Sequence, residues 1–188
     1  MPPRILSVRT AYKGWATISL AMIEGENGDT YERLIEDHGR SVCVLPFDRQ
    51  RRVATLVRQF RAPVCLSSGK TDLLECPAGL ADNQPADEAI RRESLEETGL
   101  HLNDVQLVAT VWTMPGVSTE RMHLFLAAYS TGDRRGTGGG EASEHENIMM
   151  EEVSLSQLAA MADNGRIEDM KTFLLIQTLR LRTPELFA

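Results

Sequence analysis

Three carboxylates at helical spacing are the residues best suited to chemistry in this chain. They lie in Arg91-Arg92-Glu93-Ser94-Leu95-Glu96-Glu97-Thr98-Gly99-Leu100. On a helix, Glu93, Glu96 and Glu97 stand at i, i+3 and i+4 and share a face. Like charges at that spacing repel, so stability alone does not select them, and Arg92, four residues before Glu96, offsets part of the repulsion. Converging hard oxygens suit a divalent cation such as Mg²⁺, which takes carboxylates and water and bridges to phosphates. The plain alternative is a solvated, charge-rich surface helix, and most acidic helices are of that kind. Leu80, Ala81, Ala89, Ile90 and Leu95 give the segment a buried side, with the acids expected on the opposed one.

A helix over Ala86–Thr98 must carry these acids. Pro85 suits its first turn, Asn83 or Gln84 its cap, Asp87 and Glu88 its positive end, and Gly99 its stop. Strands are expected at Ala16–Ile23, Ser41–Phe47, Arg52–Phe60, Leu73–Glu75, Val105–Met114 and Met122–Tyr129, with a less regular one at Tyr31–Glu36. Arg61–Thr71 reads as a loop. Its Ser68-Gly69-Lys70-Thr71 resembles the tail of a phosphate loop, but Val64 stands where glycine is required, leaving Lys70 as a solvated residue. Thr131–Glu146 is a long Gly-rich acidic segment, and segments of that kind inside a compact domain are functional or disordered. Ser154 or Ser156 caps a short helix through Ala162. A final amphipathic helix over Glu168–Leu181 places Phe173, Leu174, Ile176, Leu179 and Leu181 on its apolar side. The methionines, Met149, Met150 and Met161 among them, read as core filling.

Composition narrows the function classes. The 188 residues carry 20 Lys and Arg against 27 Asp and Glu, a formal charge of −7, which disfavours general binding to nucleic acid or anionic membrane. No apolar run approaches membrane-spanning length, and the first residues lack the apolar stretch of a signal peptide. Cys43, Cys65 and Cys76 are odd in number and widely spaced, which fits a reducing cytoplasm. Arg58 and Arg61 alternate with Val57 and Phe60 at a strand end, as an exposed edge or as an arginine clamp on phosphate or sugar. His38, His101 and His123 show no metal-ligand spacing, and His145 reads as a loop residue.

The run Gly79…Arg92-Glu93-Ser94-Leu95-Glu96-Glu97-Thr98-Gly99-Leu100 resembles the signature of the Nudix hydrolases. Two departures are visible: the stretch from Gly79 to Arg92 is one residue short, with Asn83-Gln84-Pro85 in place of an early Glu, and Ser94 replaces an apolar residue. Leu56–Arg61, Glu75–Gly79 and Met114-Pro115-Gly116 resemble the branch acting on nucleoside diphosphate sugars. The short loop, Gly138-Gly139-Gly140 and Gly165–Thr172 resemble its GDP-mannose-hydrolysing subgroup.

The resemblance implies an α/β/α sandwich with mixed β-sheets, residues 41–188, preceded by an N-terminal β region, residues 1–40, that builds a homodimer. It implies Glu93, Glu97, Glu146 and the Ala78 carbonyl as ligands of Mg²⁺, with Mn²⁺ as a substitute. Glu96 supports them and Arg92 orients them. Glu144, in Glu144-His145-Glu146-Asn147-Ile148, is implied as the base, Arg61 and Arg58 as substrate contacts, and Glu120 as a contact to sugar or nucleobase across the dimer. The reaction expected is cleavage of GDP-mannose to GMP and mannose 1-phosphate, with ADP-ribose as the second substrate. A non-catalytic nucleotide-sugar-binding module and a plain interaction domain are the rivals; the first usually loses signature carboxylates, whereas Glu93, Glu96 and Glu97 are all present here.

Overall fold

The computed structural model describes residues 1–141 and 146–188. The chain opens with an antiparallel three-stranded sheet, β1 (Arg4–Lys13), β2 (Thr17–Glu24) and β3 (Thr30–Asp37), in that order. The sequence patterns of β2 and β3 are those of strands, whereas β1 carries no readable alternation. Its pairing with β2 explains why: the register shifts between Ile5 and Ser7 and again between Thr10 and Tyr12, and each bulge resets the two-residue period. Every residue of β1 is exposed.

A second sheet has the order β10-β5-β4-β9-β8, built from β4 (Arg40–Asp48), β5 (Val53–Gln59), β8 (Gln106–Trp112), β9 (Arg121–Ala128) and β10 (Met149–Ser154). Two short strands, β6 (Leu73–Glu75) on β5 and β7 (Ala78–Leu80) on β4, complete it. β4 and β9 run parallel and the other pairs antiparallel, so the sheet is mixed. Successive side chains of a strand point to opposite faces, and β4 divides the core accordingly. Cys43, Leu45 and Phe47 pack with α3 (Leu155–Asp163) and α4 (Met170–Arg182). Val42 and Val44 pack with Ala89 and Ile90 of α2 (Ala86–Thr98). Helices therefore cover both faces, giving the expected α/β/α arrangement.

The bounds of α2 are those read from the sequence. Its start differs: Pro85 is the cap residue and no side chain caps the helix. Asn83 instead adopts a left-handed backbone (φ 65°) next to Asp82 (φ 45°), in a turn closed by Gln84 N–H donating to the Ala81 carbonyl at 2.7 Å. The residues expected to loop after Arg61 form a short helix, α1 (Ala62–Ser68), with Pro in its first turn and Gly69 closing it at φ 75°. Seven residues are too few to display a helical period.

The apolar side of α4 is rotated from expectation. Thr172, Leu175, Ile176 and Leu179 are buried, whereas Phe173 and Leu174 are partly exposed and Leu181 is 84% exposed. Met161 does fill core, but Met149 and Met150 lie on the outward part of β10. Ser154 caps α3 by accepting from Gln157 N–H at 3.2 Å.

Candidate functional site

α2 turns two of its acids inward, not outward. Glu97 is 1% exposed, and Ser94, 0% exposed, occupies the core-facing position beside it, while Leu95 is 40% exposed. The expectation of an acidic face opposed to the buried one is thus corrected. Leu95 is the outward residue, and Ser94 is small enough to pack, with Thr98 donating its hydroxyl to the Ser94 carbonyl at 2.5 Å.

The backbone opposite α2 is shaped to receive these acids. A Cβ built on Gly79 falls 2.1 Å from the carboxyl carbon of Glu93, so only glycine lets that side chain cross β7. One oxygen of Glu97, Oε2, accepts from Ala78 N–H at 3.1 Å. The other, Oε1, is buried with no hydrogen-bond partner, an arrangement that costs on the order of 1–3 kcal/mol or more for a charged group. Burial pushes Glu93 up to about 7, Arg92 opposes this, and Glu96 and Glu146 add to it. Burial likewise pushes Glu97 far up, against its Ala78 hydrogen bond and with repulsion from Glu93 and Glu146. These acids are held together at an energetic cost that a cation would remove.

Glu93, Glu146, Arg61, Glu120, Lys171 and the Ala78 backbone line one cavity of about 580 Å³. Among the described residues no three acidic, imidazole or thiol side chains close on a single point. The fit to a cation lies in the orphaned Oε1 of Glu97, which is buried and off the cavity lining, beside Glu93 and Ala78, which line it, with the open cavity for the waters that Mg²⁺ retains. Arg92 donates to Glu96 Oε2 at 2.9 Å, to Glu93 Oε1 at 2.8 Å and to the Leu80 carbonyl at 3.1 Å, and so ties α2 to β7. Glu96 points to Arg92 and does not line the cavity. Glu146 accepts from Glu141 N–H at 3.0 Å. Glu144 lies outside the described residues.

The two arginines separate. Arg61 stands at the cavity, gripping buried Glu75 through Nε at 2.8 Å and Nη2 at 3.0 Å. Arg58 pairs with Glu151 at 2.6 Å and Asp72 at 2.9 Å and lines a different depression, shared with Lys70 and Arg166. Lys70 is an exposed loop residue, as expected, and pairs with Glu168. Glu120 accepts from the hydroxyls of Ser41 and Thr113 and faces His38 Nε2 at 3.4 Å.

Three cavity residues escaped the sequence reading: Trp15, His38 and Lys171. Trp15 stacks on His38 with ring centroids 4.9 Å apart and planes 19° apart. His38 is held by Glu36 Oε1 at 2.5 Å; burial works to lower its pKa, but Glu36 and Glu120 outweigh it and the net shift is upward. Lys171 is buried between Glu75 and Asp169. Glu36 and Asp169 lie two residues from His38 and Lys171, but Trp15, Glu120 and Glu75 reach them from elsewhere in the chain.

The Arg61–Glu75–Lys171 group sets a stability expectation. Burial alone would raise the Glu75 pKa, but Arg61 and Lys171 outweigh it and lower it from its ordinary 4.5. A depressed carboxyl stabilises the fold fully above its unfolded pKa and loses that contribution as pH falls through the folded one. Glu75→Gln is expected to cost about 1–3 kcal/mol at neutral pH, since Arg61 loses its paired carboxylate and Lys171 keeps only Asp169. Urea unfolding of both forms should show the gap narrowing as pH is lowered below about 4.5. An unchanged gap down to acid-induced unfolding would contradict the ion-pair account.

A fold of this layering, with an acidic helix facing a glycine-bearing strand, defines a class. A NUDIX domain model matches residues 37–173, and the chain belongs to the Nudix family. It is similar to a GDP-mannose pyrophosphatase of Citrobacter koseri, 36% identical over 157 residues that cover 82% of this chain and 81% of the relative. Another GDP-mannose pyrophosphatase, from Cronobacter sakazakii, is 38% identical over 154 residues, 81% of this chain and 79% of that one. A crystal structure of an ADP compounds hydrolase superposes with a TM-score of 0.79 at 18% identity, covering 98% of this chain and 96% of that one. That last likeness is one of fold.

Proposed function

We propose that this protein is a Mg²⁺-dependent pyrophosphohydrolase of nucleoside diphosphate sugars, with GDP-mannose as the leading substrate and GMP and mannose 1-phosphate as products. The observation that carries the reading is the buried, unpartnered Oε1 of Glu97 next to Glu93 and the Ala78 backbone. The names of the relatives support the substrate class. In this reading Glu93, Glu97, Glu146 and the Ala78 carbonyl hold Mg²⁺ or Mn²⁺. The cation supplies charge neutralisation for the diphosphate and acidifies bound water. Arg92 keeps Glu93 and Glu96 in place. Glu144 accepts the proton of the attacking water, whose oxygen joins one phosphorus as the bridging P–O bond breaks. Arg61, at the cavity edge, binds a phosphate or sugar oxygen, and Glu120 accepts from the sugar or nucleobase.

Residues 1–40 are proposed as the dimerising region and 41–188 as the catalytic domain. The exposed apolar side chains of β1, among them Ile5, Val8 and Tyr12, support a homodimer. Three unpaired cysteines support a reducing cytoplasmic location. No helix among the described residues is long and apolar enough to cross a membrane, and the −7 charge supports a small-molecule partner over nucleic acid.

A hydrolysis screen over nucleoside diphosphate sugars, with Mg²⁺ or with a chelator, tests this directly. The expected result is cation-dependent release of a nucleoside monophosphate and a sugar phosphate, fastest with GDP-mannose. Preference for ADP-ribose would replace the substrate and keep the chemistry. Binding without turnover would replace the enzyme with a nucleotide-sugar-binding module.

A further inference from the structure

The end of α2 is closed by a segment far along the chain. A helix leaves its last four carbonyls without intrahelical donors; at α2 Gly99 N–H takes the Leu95 carbonyl at 2.9 Å, and the three that follow meet residues 134–140. Gly140 N–H donates to the Glu96 carbonyl at 3.1 Å and Gly139 N–H to the Glu97 carbonyl at 3.0 Å. Arg134 Nη1 donates to the Thr98 carbonyl at 2.8 Å. Arg135 and Gly136 N–H share the Gly99 carbonyl at 2.8 and 3.2 Å. Among the carbonyls so capped are those of Glu97, an acid of the site, and of Glu96, which Arg92 ties to Glu93.

The same segment leads into Glu146. Gly138, Gly139 and Gly140 have φ of +67°, +117° and +81°, a left-handed run that L side chains rarely adopt. Space is as restrictive as torsion. A Cβ on Gly138 falls 2.4 Å from the Glu97 carbonyl oxygen, and one on Gly140 falls 2.5 Å from Glu146 Oε2 and 2.8 Å from Glu146 Cβ. The Gly139 carbonyl in turn accepts from Ile148 N–H at 3.2 Å, and Glu141 N–H donates to Glu146 Oε2 at 3.0 Å, so Glu146 is tied to the glycine run.

We propose that Gly138-Gly139-Gly140 is a positioning element for the cation site, which docks the backbone of one loop on the end of α2 and thereby holds Glu146 facing Glu93 and Glu97. The inference rests on the metal-dependent reading given above. Glu146 is far in sequence from Glu93 and Glu97, and this backbone clasp fixes its distance from them. The glycines touch neither substrate nor cation.

Calorimetric titration with Mn²⁺ of the full chain, wild type and Gly140→Ala, tests the proposal. Gly165→Ala serves as the control, since Gly165 is also left-handed (φ +69°) and a Cβ there meets nothing within 4 Å. Both variants should melt at a lowered temperature, Gly140→Ala the lower because its Cβ also meets Glu146 and Ile148. Only Gly140→Ala should lose cation affinity, by about 10- to 100-fold, as for displaced groups that orient metal ligands, with kcat falling alongside. Equal Mn²⁺ affinity in folded Gly140→Ala and wild type overturns the positioning role and leaves the metal-dependent reading standing. No Mn²⁺ binding by wild type overturns that reading and this inference together. Should Gly140→Ala fail to fold, Arg134→Gln, which removes the Thr98 cap without backbone strain, is expected to weaken Mn²⁺ in the same direction. Unaltered binding there would count against the clasp.

Discussion

Glu97→Gln is expected to abolish turnover while leaving the protein folded. The amide is close in shape to the carboxylate, and its oxygen can still accept from Ala78 N–H as Oε2 does at 3.1 Å. What disappears is the buried negative charge. Because burial and the neighbouring acids raise the Glu97 pKa, that charge strains the cation-free protein, and neutralising it should hold or raise the melting temperature. The loss in kcat should be at least on the order of 10³, about 4 kcal/mol of transition-state stabilisation. Steady-state hydrolysis paired with thermal unfolding, each with and without Mg²⁺, checks both halves. Near-normal hydrolysis would remove Glu97 from the ligand set.

The second large effect is expected at Glu144, whose assignment as base rests on its place in Glu144-His145-Glu146-Asn147-Ile148 and which lies outside the described residues. Glu144→Gln should lower kcat by roughly 10²–10⁴, the range for a general base, and leave Mn²⁺ affinity close to wild type. The split between rate and affinity is the point of the test. If cation binding collapsed instead, Glu144 would be a ligand, and the water-activating group would have to be sought elsewhere in the loop.

What could be read from the chain was local. The bounds of α2 follow from a run of helix-forming residues ended by Gly99, and β4 and β5 follow from their apolar runs. The residues alone gave an α/β or α+β domain with mixed sheets, and the three-layer arrangement came from the resemblance of Gly79…Leu100 to the Nudix signature. The direction of Glu93 and Glu97 was not legible, because the spacing that groups three acids on a face does not say which way the face turns. That is settled by Gly79, whose missing side chain admits Glu93, and by Ser94, which packs where a larger residue would push α2 away. β1 was hidden by its two bulges. His38 was passed over because neighbouring Glu36 gives no metal spacing and Glu120 and Trp15 meet it only after folding. Arg58 and Arg61 look equivalent in sequence, yet three residues along the chain were enough to carry them to different depressions.

Trp15 stands in the turn between β1 and β2 and His38 in the link that leaves β3, whereas the inward acids stand on α2. The part of the protein that shapes the mouth of the cavity is therefore encoded apart from the part that bears its charge. Insertions or exchanges between Lys13 and Thr17 can remodel what enters without disturbing a single bond of α2, so divergence in ligand choice within such a lineage should accumulate first in that short N-terminal turn.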